Sequence, residues 1–198
     1  MINQSSAVFL DRDGTIITDK HYAFDPAGIE FIDGALDGLR RLEAAGFRLF
    51  VVTNQSGVAR GYFDENDVWA MHARLDALLR QAGVTVDRFL HCPHHPDGVI
   101  KKYAFSCLCR KPKPGMIWRA ASEESIDLAQ SWVIGDAPSD VLAGVRAGCK
   151  TVLLDGPRSR EALPVAPFYQ YRARGLDDAA TFIVRQVQRA PTLVTGRR

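Results

Sequence analysis

Ala7-Val8-Phe9-Leu10-Asp11-Arg12-Asp13-Gly14-Thr15 sets two carboxylates two residues apart, at the point where a short apolar run stops. Four consecutive apolar residues read as a buried strand. Gly14 lets the chain turn away, and Thr15 can hydrogen-bond the turn. In an open α/β sheet, reactive groups gather where strands end, because the loops there line the crevice. An Asp in that place can attack phosphorus, and a second Asp two residues on can protonate a leaving oxygen. Most Asp-Gly pairs are plain solvated turns. The longer Asp-x-Asp-Gly-Thr string arises by chance in only about one chain in several hundred of this length. Its partners downstream decide its meaning.

Outward from this stretch, β-rich apolar runs alternate with helical patterns, which predicts a Rossmann-like, mainly parallel sheet flanked by helices. The strand candidates are Ala7–Leu10, Arg48–Val52, Val86–His91, Trp132–Ile134 and Lys150–Leu154. Leu36, Leu39 and Leu42 mark one helical face that Gly46 closes. A longer helix starts at the N-cap candidate Asp64 and carries Val68, Met71, Leu75, Leu78, Leu79 and Ala82 at three- and four-residue spacing before Gly83. Pro114 suits a first helical turn, Ser139 is read as a helix cap, and Leu176–Val187 forms a last amphipathic helix. Only one helix and a long loop fit between Asp11 and Phe47, which leaves no room for a large cap domain. The chain reads as a single domain over 1–189, with a flexible tail at 190–198.

The 198 residues carry 25 basic and 23 acidic side chains, a formal charge of +2, so no broad field draws nucleic acid or an anionic membrane. Met1–Ser6 has neither a basic region nor a long apolar stretch, and no apolar run approaches a bilayer-spanning length. A cytoplasmic protein is expected.

Three further stretches fall at predicted strand ends or a helix start. Thr53-Asn54-Gln55-Ser56-Gly57 supplies hydroxyl, amide and backbone N–H donors fit to cradle phosphate oxygens. Arg110-Lys111-Pro112-Lys113-Pro114 supplies cations ahead of a helix, where anions also bind well. Trp132-Val133-Ile134-Gly135-Asp136 places another carboxylate after a buried strand, with Asp140 four residues on. Aspartates so placed can hold a divalent cation through oxygen.

Residues 92–113 have neither strand nor helix periodicity, and a structureless excursion of that length needs its own fastening. Cys92-x-His94 and Cys107-x-Cys109 offer it, as three thiolates and an imidazole suited to a closed, structural Zn²⁺ site. His91 and His95 are neighbouring substitutes for the imidazole. Because Cys109 directly precedes Arg110-Lys111, a metal there fixes both cations. The remaining thiol, Cys149, reads as a small buried apolar residue.

In this order, the motifs resemble the haloacid dehalogenase (HAD) superfamily of phosphohydrolases, from Asp11 to about Leu154. Phe9-Leu10-Asp11-Arg12-Asp13-Gly14-Thr15, Thr53-Asn54-Gln55-Ser56-Gly57, Cys92-Pro93-His94-His95-Pro96 and Cys107-x-Cys109-Arg110-Lys111-Pro112 narrow it to the branch of heptose bisphosphate and histidinol-phosphate phosphatases. The resemblance implies an aspartyl-phosphate on Asp11, with Asp13 as general acid and base. It implies Mg²⁺ on Asp11, the Asp13 backbone carbonyl and Asp136, and Zn²⁺ on Cys92, His94, Cys107 and Cys109. Thr53 and Lys111 would bind the transferring group, with Asn54, Gln55 and Ser56 beside it. Arg110 would contact the substrate beyond, as would Asp19 and Tyr22, although Lys20-His21 between them diverges. Relatives often carry Lys where this chain has Ala137, and nothing is carried over to Pro157–Tyr171. The implied substrate is a small phosphorylated sugar, heptose bisphosphate first and histidinol phosphate second. A zinc-stabilised binding module is the non-enzymatic alternative. Action on nucleic-acid 3′ phosphates is disfavoured by the near-neutral charge and the lack of a basic–aromatic stripe.

Overall fold

A computed structural model describes residues 5–20, 25–159 and 168–189; the predicted tail at 190–198 lies outside them. The strands are β1 (Ala7–Leu10), β2 (Arg48–Asn54), β3 (Arg88–Cys92), β4 (Trp132–Gly135), β5 (Lys150–Leu154) and β6 (Tyr171–Ala173). They form one sheet in the order β3-β2-β1-β4-β5-β6, with every neighbouring pair parallel. This is the predicted α/β architecture, a parallel sheet flanked by helices. The chain winds outward from β1 in one direction and then from β4 in the other, so the two halves part between β1 and β4. Ligands of open α/β sheets bind at that reversal, outside the carboxyl ends of the strands.

The helices are α1 (Ala35–Ala44), α2 (Gly57–Arg60), α3 (Glu65–Gln81), α4 (Gly115–Glu124), α5 (Pro138–Ala147) and α6 (Leu176–Arg189). Strand alternation sorts the sheet's side chains into two cores. Val8, Leu10, Leu49, Val51 and Ile134 pack with Leu39 and Leu42 of α1, Leu75 and Leu79 of α3, and Ile183 of α6. Ala7, Phe9, Phe50, Val52 and Val133 face the opposite way, onto Met116, Ile117 and Ala120 of α4 and Ala143 and Ala147 of α5. Each fully buried Leu or Ile is worth roughly 1.5–3 kcal/mol relative to exposure. Burial on both faces explains why β1 reads as an unbroken apolar run rather than an alternating one.

Three local expectations shift. Asp64 does cap α3, accepting from the Asp67 N–H while Asp67 accepts from the Asp64 N–H. Ser139, in contrast, lies inside the first turn of α5: Pro138 opens that helix, and Asp140 reaches back to accept from the Ala137 N–H at 3.0 Å. Pro114 stands just ahead of α4 rather than in it. Strand β3 runs Arg88–Cys92 instead of starting at Val86. Neither the four-residue α2 nor the three-residue β6 shows a period in the sequence. No second folding unit interrupts the chain between β1 and β2 among the described residues, where α1 and a short 3₁₀ turn (Pro26–Gly28) are found.

Candidate active site

Asp11 is the first residue past β1, and its N–H donates to the Ile134 carbonyl at 3.0 Å, carrying the β1–β4 pairing one step beyond the strand. Asp136 follows β4 in the same way. Both carboxylates therefore meet at the sheet's reversal point, and both are buried. Gly14 makes the approach possible. Its φ of +77° is a left-handed conformation, and a Cβ there would lie 2.3 Å from Asp136 Oδ2. A cleft of ≈ 630 Å³ opens over these strand ends, lined among others by Asp11, Asp13, Thr53, Ser56, Arg110 and Lys111.

Lys111 is the central cation. Its Nζ lies 2.9 Å from Asp11 Oδ1 and 2.7 Å from Asp140 Oδ1, and it donates to the Val52 carbonyl at 2.7 Å. Burial alone would raise the Asp11 carboxyl, but Lys111 and then Arg158 outweigh it and hold it below its ordinary value. The Lys111 ammonium is likewise held above its usual range, because Asp11 and Asp140 overcome its own desolvation. Asp140 goes the other way: burial raises it, only partly offset by Lys111. Asp136 is pushed up to about 7, chiefly by burial, with Asp11 and Asp140 adding repulsion and Arg158 opposing it. Among the described residues, Asp11, Asp136 and Asp140 thus share two cations, Lys111 and the partly exposed Arg158, for three carboxyl groups.

The loop after β2 serves mainly to position other groups. Asn54 Nδ2 donates to the Lys111 carbonyl and Asn54 Oδ1 accepts from the Lys111 N–H, both at 3.0 Å. This side chain, expected against the substrate, is hydrogen-bonded to the Lys111 backbone and so helps position the lysine. Gln55 Nε2 donates to both Asp13 Oδ2 and Thr53 Oγ1 at 2.9 Å. Asp13 also receives Arg12 Nε at 3.1 Å and Nη2 at 2.9 Å, a two-pronged grip that fixes its carboxylate plane. Asp19 lines the cleft 3.7 Å from Arg158 Nη1. Tyr22 lies outside the described residues.

Two groups of side chains can hold a metal. The ligand atoms of Asp11, Asp136 and Asp140 lie within 4.8 Å of one another. Asp140 meets Lys111 through Oδ1 and the Ala137 N–H through Oδ2, while Asp11 Oδ2 and Asp136 Oδ1 face Arg158. Asp136 Oδ1 is buried and is met by the Arg158 ion pair at 3.2 Å rather than by a hydrogen bond, which suits a carboxylate able to take a cation. In the loop after β3, Cys92, His94, Cys107 and Cys109 also converge within 4.8 Å. The sulfurs are 3.2–3.4 Å apart, and His94 Nδ1 is 3.6 Å from Cys92 Sγ and 3.4 Å from Cys109 Sγ. A tetrahedral zinc with Zn–S near 2.3 Å sets sulfurs roughly 3.8 Å apart, so the cluster is near that size. The other two candidate imidazoles are occupied elsewhere: His91 Nε2 faces Glu65 at 3.4 Å, and His95 Nε2 faces Arg60 at 3.3 Å. Arg110 Nη1 donates to the His94 carbonyl at 3.3 Å, tying the cluster to the cleft.

Arg158 had no signal in the sequence. It stands in the connection between β5 and β6, where no motif could be matched, yet its guanidinium reaches the carboxylates of both Asp11 and Asp136.

Comparison with known proteins places this arrangement. The HAD-hydrolase-like family model matches residues 108–179. The D-glycero-beta-D-manno-heptose-1,7-bisphosphate 7-phosphatase of Photorhabdus laumondii is 39% identical over 193 residues, covering 96% of this chain and 95% of the relative. The Yersinia pestis protein of the same name is 42% identical over 154 residues, 78% of this chain and 82% of the relative. A crystal structure of D,D-heptose 1,7-bisphosphate phosphatase from B. bronchiseptica, complexed with magnesium and phosphate, superposes with a TM-score of 0.80 at 32% identity, covering 91% of this chain and 99% of that one.

Proposed function

The chain belongs to the D-glycero-beta-D-manno-heptose-1,7-bisphosphate 7-phosphatase family of HAD-like hydrolases, and on that premise we propose that it removes the 7-phosphate of D-glycero-D-manno-heptose 1,7-bisphosphate through an aspartyl-phosphate on Asp11. The observation that carries this reading is the buried Asp11 at the end of β1, charge-balanced by Lys111 Nζ at 2.9 Å and followed two residues later by Asp13. A Mg²⁺ ion held by Asp11, the Asp13 carbonyl and Asp136 would screen the repulsion between carboxylate and phosphate and neutralise charge on the equatorial oxygens.

The side chains supply the rest. One Asp11 oxygen forms a bond to phosphorus while the bond to the sugar oxygen breaks. Asp13 delivers a proton to that departing oxygen. It then takes one from the water that attacks phosphorus, and the bond to Asp11 breaks to release orthophosphate. Arg12 and Gln55 hold Asp13 in plane for both transfers. Lys111 and the Thr53 hydroxyl would bind the transferring group, Ser56 would lie against it, and Arg110 would reach the part of the sugar phosphate beyond it. Zn²⁺ on Cys92, His94, Cys107 and Cys109 would be structural, since four protein ligands close the shell.

Phosphate release measured with Mg²⁺ on the heptose bisphosphate, histidinol phosphate and common hexose phosphates tests the reading. Fastest turnover of the heptose bisphosphate, with the 1-phosphate retained, is expected. Faster hydrolysis of histidinol phosphate would replace the substrate, and no hydrolysis of any of them would remove the reading.

A further inference from the structure

Arg158 sits where a bound cation would be welcome. Its Nη2 is 3.3 Å from Asp11 Oδ2 and 3.2 Å from Asp136 Oδ1, and its Nη1 is 3.7 Å from Asp19 Oδ2. Asp11 Oδ1 is already taken by Lys111 Nζ and by the Arg12 N–H at 2.8 Å, so Oδ2 is the face left for another partner. Among the described residues, Arg158 makes the one ion pair to Asp136, and Ala137 beside that aspartate brings no charge. A metal bound by both carboxylates must stand about 2.0–2.1 Å from their oxygens. The guanidinium would then be in the way.

The side chain has a fixed base and room to move. Its turn is pinned by the Gly156 N–H donating to Ser159 Oγ at 3.0 Å, and by Arg172 of β6, which donates to Ser159 Oγ at 3.3 Å and pairs with Asp155. The side chain as a whole is 36% exposed. It lines both the main cleft and a second hollow of ≈ 290 Å³ beyond it, walled by Ile32, Leu154, Pro157 and Leu176. Arg158 thus stands, with Thr18 and Asp19, between two open spaces.

We propose that Arg158 is a built-in counter-cation for Asp11 and Asp136, which occupies the carboxylates in the metal-free protein and swings out as a divalent cation enters, so that the two exclude each other. This rests on the reading that Asp11 and Asp136 hold such a cation. Docked arginine lowers the fraction of protein competent to bind metal, and the apparent dissociation constant rises by the same factor.

Mn²⁺ titration of the full chain, following the free ion by electron paramagnetic resonance, separates the possibilities. Arg158→Gln is expected to bind Mn²⁺ about tenfold more tightly than wild type, and Arg158→Lys, which keeps charge without the fork, to fall between. Tighter binding is a gain that damage to the fold would not produce. If Asp136→Asn abolishes binding while Arg158→Gln leaves it unchanged or weaker, the counter-cation is refuted and the cation site stands. If wild type binds no Mn²⁺, or Asp136→Asn binds it as well as wild type does, the cation reading itself fails and takes this proposal with it.

Discussion

In the cleft, Asp11, Lys111 and Asp136 come from three distant segments that the parallel sheet brings together. In the cysteine loop, four ligands come from residues 92–109, within which no helix or strand forms after Cys92. The first assembly is held by a core on both sheet faces. The second leaves Val99, Phe105 and Leu108 exposed and has little apolar packing of its own. Charges gathered by topology can tolerate imbalance because the core enforces their positions. Thiols gathered by a loop need a metal to repay the ordering of the chain. The two regions meet at Cys109-Arg110-Lys111, where a locally held ligand stands two residues before the cation on which the cleft is centred.

The sharpest break in this comparison is Asp11→Asn. It should cut kcat by about 10⁴-fold or more, as loss of a nucleophile does, while circular dichroism shows the fold intact. Cys109→Ser, or removal of the loop metal by a chelator, should do the opposite. Activity should fall about 10–100-fold, together with a lower Tm and faster proteolysis within 92–109. Equal activity loss without any change in melting or proteolysis would show that the loop is not metal-ordered.

A third expectation concerns protons. Because burial lifts the Asp136 carboxyl to about 7, it must lose a proton to accept metal. Mg²⁺ affinity, measured by calorimetry, should weaken about tenfold per pH unit below 7 and level off above it. The sign for folding is opposite. A carboxyl whose folded pKa lies above its unfolded one favours the protonated native state, so the metal-free protein loses stability as pH climbs from about 4 to 7. The smallest effect is Gln55→Ala. Freed from one of its donors, Asp13 should turn over about tenfold more slowly, with KM nearly unchanged.

What could be read in the sequence divides along the same line. The Asp-x-Asp turn and the cysteine ligands are local patterns, and the flanking apolar runs predict the strands that carry them. Asn54 reads locally as one of a run of amide, hydroxyl and backbone donors after β2, but its side-chain bond to the Lys111 backbone spans 57 residues, a distance no local pattern reveals. The same holds for Arg158, which lies four residues past β5 and reaches Asp11 across a separation of 147 residues. Ser139 was displaced as a cap by Asp140, whose side chain serves both the helix start and Lys111.

The proposed hydrolysis requires a transient covalent bond between phosphorus and Asp11. Enzyme mixed with Mg²⁺ and heptose bisphosphate radiolabelled at the 7-phosphate, then quenched in acid within a single turnover, should yield label on the peptide spanning Asp11, released by hydroxylamine as an acyl phosphate would be. Label that appears only as free orthophosphate at every quench time, while product accumulates in a burst, would contradict it.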